Sequence, residues 1–546
     1  MALHIPKAPG YASMLKDGAR HYEGLEETVY RSIEACVALA KTTRTTYGPH
    51  GQSKIVINHI GKQFVTKDVA TILRELEVAH PAAKMLVLAT QQQEQEVGDG
   101  TNLVFQLAGS LLQHASELLK MGLSVSQVAD GFELASAHAL EVIPDLVVER
   151  LADVRNHDSV KRVIHTAISS KQIEYADFLA DLITTACIHV LPKASQFSVD
   201  NIRVVKVIGS GVFQSHMVKG MVFHREAEGV IKEAAKAKVV VYTCPFDSLQ
   251  TETKGTVLIN TADELSNLTK GEEQQMEKKV KELVDAGIKV VITGGKVGEL
   301  ALHYANKAKL MIVRLPSKFD VRRVSQITGA TPLPGLTCPS PEEIGYIGKI
   351  KCDYIADTKI VILEEPKSES SIATIVLRGS TESMMDDIER CIDDGVNAFK
   401  CLTRCNKLVA GGGAFEIELY RKLMDYADKI PSLEQYAIRE YAKALEIIPK
   451  ALAENGGMKA TEAIAQISSQ HHSGSVNTGI VTLTSKEAEI LDSYKNGVVD
   501  IMAVKQWALK FSCAAACTVI RVDQLIMAKP AGGPKPRDPK GQDEDD

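Results

Sequence analysis

Residues 96–121 open as Glu96-Val97-Gly98-Asp99-Gly100-Thr101-Asn102 and continue as the apolar run Leu103 to Met121. A run that is apolar nearly all round, at this length, predicts a helix buried among other helices. Its entrance carries chemistry as well. A helix N-terminus offers unpaired N–H groups and the positive end of the macrodipole, which suits phosphate. Gly98 and Gly100 carry no Cβ, so a ligand can come close to the backbone. Asp99, held between them, can reach a Mg²⁺ that shares phosphate oxygens. The plain alternative is a tight turn with Thr101 as N-cap.

The neighbouring segments extend the helical reading. Leu25, Val29, Ile33 and Val37 recur at spacing four, so Leu25 to Thr46 reads as an amphipathic helix ending at Tyr47-Gly48-Pro49-His50-Gly51. A short β-like run, Ser53 to Asn58, precedes a turn into a helix with Asp68 near its start. Pro81 to Gln95 predicts a second core helix, Gly122 a C-cap, and Val125 to Val147 further helix interrupted at Pro144.

The character changes after residue 150. Arg150 to Val190 is helical but more polar, and from Ile202 short β-branched runs alternate with helical segments, the signature of an α/β unit. Strands are expected at Arg203 to Ile208, Val218 to His224, Lys238 to Thr243, Lys289 to Thr293 and Leu310 to Arg314. Thr251 to Gly287 reads as an exposed helical excursion, and Gly294-Gly295-Lys296-Val297-Gly298 as a strand-to-helix turn. Lys359 to Leu363 and Ile372 to Leu377 are expected to pair. An acidic helix, Met385 to Phe399, leads back to helix-rich sequence at Ala414 to Tyr426, Leu433 to Glu454, Met458 to Ile467 and Val504 to Val522. The tail from Lys529 is Pro, Gly, Lys and Asp and predicts disorder. The order helical, mixed, α/β, mixed, helical predicts one helical domain made from both chain ends.

Composition narrows the function. At 546 residues the chain predicts several domains. A net charge of -6 argues against nucleic acid as the main partner. No apolar run reaches bilayer-spanning length and no signal-peptide core opens the chain, which predicts no membrane contact and a cytosolic location. Cys401/Cys405 and Cys513/Cys517 stand at i,i+4 and read as reduced, buried thiols rather than metal ligands. His471-His472 falls in a Ser/Gly-rich stretch and is expected to be solvated.

Several motifs, taken in series, resemble group II chaperonins. They are Tyr47-Gly48-Pro49-x-Gly51, Thr66-x-Asp68-x-Ala70-Thr71-Ile72-Leu73, Gly98-Asp99-Gly100-Thr101, Ser169-Ser170-Lys171, Arg378-Gly379, Glu389-Arg390-x-x-x-Asp394 and Gly411-Gly412-Gly413-Ala414-x-Glu416. The resemblance covers the chain up to about Lys529. It implies a multidomain α and α/β fold. The discontinuous all-helical equatorial domain would be 1–148 with 405–528, and the small mixed intermediate domain 149–214 with 368–404. The α/β apical domain with a helical protrusion would be 215–367, leaving a disordered tail at 529–546.

The resemblance also implies roles. Asp99 would hold Mg²⁺, and Gly100, Thr101, Asn102 and Leu103 would meet the phosphates of ATP or ADP. Tyr47 and Gly48 would lie against the nucleotide, with Gly412 and Asp500 at the ribose. Asp394 would orient or deprotonate the attacking water with Asp68 as its partner, and Ser169, Ser170 and Lys171 would approach the γ-phosphate. The implied function is an ATPase subunit of a cytosolic hetero-oligomeric double ring with seven paralogous subunits, folding clients that include actin and tubulin.

Some positions depart from the family pattern. Val69 stands where Gly or Ala is usual, Asn102 for Thr, Ala167 for Ser, Ala410 and Ile501 for Pro, and Gln52-Ser53 for a Met-containing pair. Bulk at Val69 would crowd the catalytic water, so a structural ring subunit that binds nucleotide but barely hydrolyses it is the rival expectation. A stand-alone ATP-dependent kinase or ligase is the third.

Overall fold

The computed structural model describes residues 20–23, 25–192, 197–247, 262–355, 358–365, 372–482 and 487–527. The segment expected as a disordered tail and the start of the expected excursion, residues 251–261, lie outside them.

The run that follows Asp99-Gly100 forms the helix Thr101–Lys120, and Phe105, Leu111, Leu112 and Leu118 on it are wholly buried. Helices from both chain ends surround it: Arg31–Arg44, Pro81–Glu96 and Val125–Val142 from the first part, Glu434–Leu445 and Met502–Ile520 from the last. Their side chains form one continuous apolar core with Val29, Ile33, Phe132, Leu419, Tyr441 and Leu509. Truncating any such leucine to alanine costs about 2–5 kcal/mol. Among the polar residues buried there, Gln106 is satisfied by the Ala40 carbonyl at 3.0 Å and the Thr43 hydroxyl at 2.9 Å. Burial without those acceptors would be costly.

Val125–Val142 stops short of the expected Val147. Ile143–Leu146 tightens into a 3₁₀ turn at Pro144, and Val147–Arg150 becomes a strand. That strand flanks Lys407–Ala410, whose other neighbour is Val499–Ile501, all antiparallel. The small sheet therefore draws three remote segments together beside the helical core.

Next to it lies a second core, formed by the helices His157–Ser169, Ala176–Val190 and Glu382–Arg404. Ala176–Val190 and Glu382–Arg404 pack on Ala373–Gly379, which runs parallel to Ile202–Ile208 and antiparallel to His216–Val218, while His157–Ser169 packs on those two helices. The expected pairing of Lys359–Leu363 with Ile372–Leu377 is not found. Thr358–Glu364 instead pairs with Gly345–Ile355 and Gly220–Phe223 in a different sheet. Each strand already has both edges taken in its own sheet, Ala373–Gly379 by Ile202–Ile208 and His216–Val218, so neither has an edge left for the other.

The third layer is a mixed sheet in the order Met311–Arg314, Ile288–Thr293, Glu233–Tyr242, Gly345–Ile355, Thr358–Glu364, Gly220–Phe223. Helices Glu299–Lys307 and Lys318–Thr328 follow its parallel strands. Gly294 to Gly298 is the turn between strand and helix, as its composition predicts. The helix Ala262–Asp285 is not wholly an excursion. Met276, Val280 and Leu283 are buried with Tyr242, Phe246 and Ile312, so its second half belongs to the α/β body. No helix among the described residues is long and apolar enough to cross a membrane.

One polar expectation is corrected. His471 ends the helix Ala460–His472 and is buried, not solvated. Its Nδ1 lies 3.0 Å from Glu418 Oε2 and its Nε2 2.8 Å from the Thr478 carbonyl. Burial alone would raise the Glu418 carboxyl, but His471 and Arg421 bring it down to about 2. A buried carboxylate needs partners of this kind, and the sequence offered no sign of which ones.

Candidate functional site

A cavity of about 190 Å³ opens where the helical core meets the second core. The residues to which the resemblance gives a role at the nucleotide all line it: Tyr47, Gly48, Asp68, Asp99, Gly100, Thr101, Asn102, Leu103, Ser169, Ser170, Lys171, Asp394, Gly412 and Asp500; Arg378, Gly379, Glu389 and Arg390 of the other motifs do not.

The entrance of the central helix forms one wall. Gly100, not Thr101, is the N-cap; it adopts the left-handed conformation at φ 75°, and Thr101 is the first helical residue. Only glycine takes that conformation without strain. The first intrahelical bond runs from Val104 N–H to the Gly100 carbonyl, so the amides of Thr101, Asn102 and Leu103 have no partner within the helix. The Asn102 side chain is engaged elsewhere, donating to Thr46 Oγ1 at 3.1 Å.

Asp99 accepts from Gly100 N–H at 2.6 Å. Among the described residues no basic side chain forms an ion pair with it, and burial raises its carboxyl above the ordinary range. A half-buried anion with one amide partner is a site that a cation would stabilise.

The opposite wall holds Lys171 between two carboxylates. Its Nζ lies 3.1 Å from Asp68 Oδ1 and forms a closer ion pair with Asp394. Asp68 caps the helix Val69–Glu75, accepting from the Thr71 amide at 3.0 Å and the Thr71 hydroxyl at 2.7 Å. Burial would raise Asp68, yet Lys171 and those bonds lower it to about 2. Asp394, in the middle of Glu382–Arg404, goes the other way: burial and the nearby Asp68 charge raise it well above a normal carboxyl, with Lys171 opposing. Two carboxylates driven apart in this manner divide into a fixed anion and a proton acceptor. Ser169 and Ser170 donate their hydroxyls to the Thr166 and Ala167 carbonyls at 3.0 and 2.7 Å, leaving only oxygen lone pairs for a ligand.

The third wall comes from the C-terminal half. Gly412 has φ 65°, and a Cβ there would lie 2.5 Å from the Ile480 carbonyl oxygen. The need for glycine is therefore set by the protein's own backbone, before any ligand is considered. Asp500 lies on Val499–Ile501, with its Oδ2 2.9 Å from Lys505 Nζ. Lys505 also reaches Glu416 Oε1 at 2.7 Å.

Two residues of this wall went unread in the sequence. Lys505 follows Met502-Ala503-Val504 at the start of its helix, where a buried ammonium requires anionic partners. Asn455 donates to the carbonyls of Arg44 and Tyr47 at 3.1 and 2.8 Å and so pins the Tyr47-Gly48 loop. Its place before Gly456-Gly457 marked only a helix end.

Together these walls fit a magnesium nucleotide. Asp99 supplies an oxygen ligand without a counter-ion, free helix amides stand beside it, and a glycine loop admits backbone contact. The constellation can hold a triphosphate, neutralise it, and present a carboxylate to water at its far end.

Comparison with known proteins finds relatives over the whole chain. The profile of the TCP-1/cpn60 chaperonin family matches residues 39–530. Human "T-complex protein 1 subunit theta" is 53% identical over 546 residues, covering 100% of both chains. The chicken protein of that name is 54% identical over 536 residues, 98% of each chain. The Caenorhabditis elegans one is 48% identical over 548 residues, 100% of this chain and 99% of its own.

Proposed function

The chain belongs to the TCP-1/cpn60 chaperonin family, and from that premise we propose that its cleft binds and hydrolyses Mg-ATP to drive one position of a hetero-oligomeric folding ring. As a chaperonin subunit it is a nucleotide-binding ATPase that works in protein folding. The observation that carries the site assignment is convergence. Asp68, Asp99, Lys171, Asp394, Gly412 and Asp500 come from six separate stretches and line one cavity.

In this reading Asp99 would hold the Mg²⁺, the amides of Thr101, Asn102 and Leu103 and the Thr101 hydroxyl bind phosphate oxygens, and Gly100, whose own amide serves Asp99, lets the phosphates approach the backbone. Tyr47 and Gly48 lie along the nucleotide, Asp500 accepts from the ribose hydroxyls, and Gly412 gives the ribose room. Bound Mg²⁺ supplies charge neutralisation for the phosphates. Asp394 orients water toward the γ-phosphorus and takes its proton as the bond to the bridging oxygen breaks. Asp68 holds the charge balance through Lys171. Ser169, Ser170 and Lys171 stand on the γ-phosphate side, and Lys171 exchanges its carboxylate contact for phosphate. Because Lys171 lies in the second core, loss of that phosphate changes how the two cores are held together.

Three bodies follow from the same premise: equatorial (1–148 and 405–528), intermediate (149–214 and 368–404) and apical (215–367). Distinct apolar cores centred in the helical, mixed and α/β parts support this division, with Val97, Leu408, Val499 and Ile501 of the equatorial ranges packing into the mixed core where the two meet. The similarity to theta subunits supports a cytosolic double ring with seven paralogous partners and clients that include actin and tubulin. Native mass measurement of the purified endogenous protein tests the assembly. A particle many times the mass of one chain is expected, and a single-chain mass would contradict it.

A specific observation keeps a second reading alive. Val69 follows Asp68 directly, is 1% exposed and borders the cavity, so its methyls stand beside the proposed water site. If they crowd that water, the subunit binds nucleotide and turns it over slowly. Val69→Ala then raises hydrolysis at this site several-fold, at a stability cost of about 1–2 kcal/mol for the lost methyls. Unchanged turnover in Val69→Ala would remove the reason for that reading.

A further inference from the structure

The carboxylate assigned to the ribose is not free to choose its orientation. Asp500 is part-exposed at 29%, whereas Lys505 and Glu416 are 6% and 3% exposed. Lys505 lies in the first turn of Met502–Ile520, and Glu416 in the first turn of Ala414–Ala427, just after the Gly412 loop. The ammonium thus joins the strand bearing Asp500 to the helix that continues from Gly412. It engages Asp500 Oδ2, and Asp500 itself lines the cleft. Glu416 Oε2 has no hydrogen-bond partner, so Lys505 is what compensates Glu416. Burial would lower the Lys505 ammonium, but Asp500 and Glu416 outweigh it and hold the charge firmly in place.

We infer that Lys505, buried between Glu416 and Asp500, is a positioning residue that fixes the Asp500 carboxylate for the ribose hydroxyls and so sets the preference for ribonucleotides over deoxyribonucleotides. The inference rests on the assignment of Asp500 to the ribose. A carboxylate held at one oxygen presents the other in a fixed direction, and hydrogen bonds to a charged acceptor discriminate only when the geometry is preorganised. Without Lys505 the two carboxylates repel, and Asp500 swings toward solvent, where it no longer meets both hydroxyls.

The test uses the full chain in its assembled complex. Photoreactive 8-azido-ATP is crosslinked to this subunit and competed with ATP, 2′-deoxy-ATP or 3′-deoxy-ATP. In the unaltered complex ATP competes better than either deoxy analogue by about tenfold or more. Lys505→Met alone leaves Glu416 buried and unpaired and can fail to fold. The double variant Glu416→Gln/Lys505→Met removes both charges and is the informative one. It is expected to bring the three competitors within about twofold of one another, by weakening ATP and leaving the deoxy analogues unchanged. Lys505→Arg retains the cation and is expected to retain the discrimination. Equal weakening of all three nucleotides, with the ratio preserved, would show a merely structural lysine and overturn the inference. An unaltered complex that already fails to discriminate would overturn the ribose assignment of Asp500 itself.

Discussion

Asp394→Ala is expected to slow hydrolysis at this subunit's own site by about a hundredfold or more while nucleotide continues to bind, the range a positioned proton acceptor contributes. The electrostatics of the cleft predict the split. Asp394 and Asp68 share one ammonium, and Asp394 is the member whose carboxyl is raised. Removing it takes away a negative charge that would face the γ-phosphate, so affinity holds or improves. Lys171 keeps Asp68 as its partner, and the fold should tolerate the change. The opposite deletion, Lys171→Met, leaves two buried carboxylates facing each other and is expected to destabilise by about 3–5 kcal/mol. Hydrolysis must be read at this chain, as the ratio of ATP to ADP crosslinked to it in the reconstituted complex, because neighbouring sites continue to turn over. An unchanged ratio would remove Asp394 from the catalytic role.

Asp99→Asn is expected to weaken Mg-ATP binding by about a hundredfold or more, beyond the ~10–100-fold that changes around a metal's ligands usually cost. The effect on the empty protein should have the opposite sign. Burial raises the Asp99 carboxyl, so at neutral pH its charge is a penalty on the folded state. A carboxyl whose folded value lies above its unfolded one makes stability rise as pH falls through the folded value. Asn carries no such penalty, so Asp99→Asn should melt higher without nucleotide and lower than the parent with saturating Mg-ATP. Metal binding also needs the ionised carboxylate. Mg-ATP affinity of the parent should therefore fall about tenfold per pH unit below the raised value, and the variant should lose that slope. Calorimetric titration of the complex across the acidic range checks both signs.

How much of this was legible in the sequence depends on the range of the forces involved. The central helix was readable because an all-round apolar run at helical length has few other fates, and Thr101–Lys120 follows it closely. The cleft was readable as a set of motifs, since glycines, carboxylates and a helix start each have local physical meaning. Long-range pairing was not. Ile372 to Leu377 reads as a strand, but nothing in it says that its parallel partner is Ile202–Ile208. Gly345–Ile355 was overlooked although Ile350, Cys352 and Tyr354 alternate with Lys349, Lys351 and Asp353. Its buried residues break step, since Ile347 and Ile350 are both enclosed three positions apart while Tyr354 is exposed. His471 was placed in solvent because Ser and Gly follow it, whereas a carboxylate more than fifty residues away, Glu418, draws it inside. Lys505 shows the same limit, since a buried charge announces that it has partners without naming them.

The most direct test is a density map of the intact assembly with Mg-ATP or a slowly hydrolysed analogue bound. The metal is expected against the Asp99 carboxylate, phosphate oxygens at the amides that open Thr101–Lys120, the ribose at Asp500 beside Gly412, and Asp394 at the far end of the triphosphate. A nucleotide seated elsewhere in this chain, or one in the cleft that leaves Asp99 and Asp394 without contact, would contradict the account.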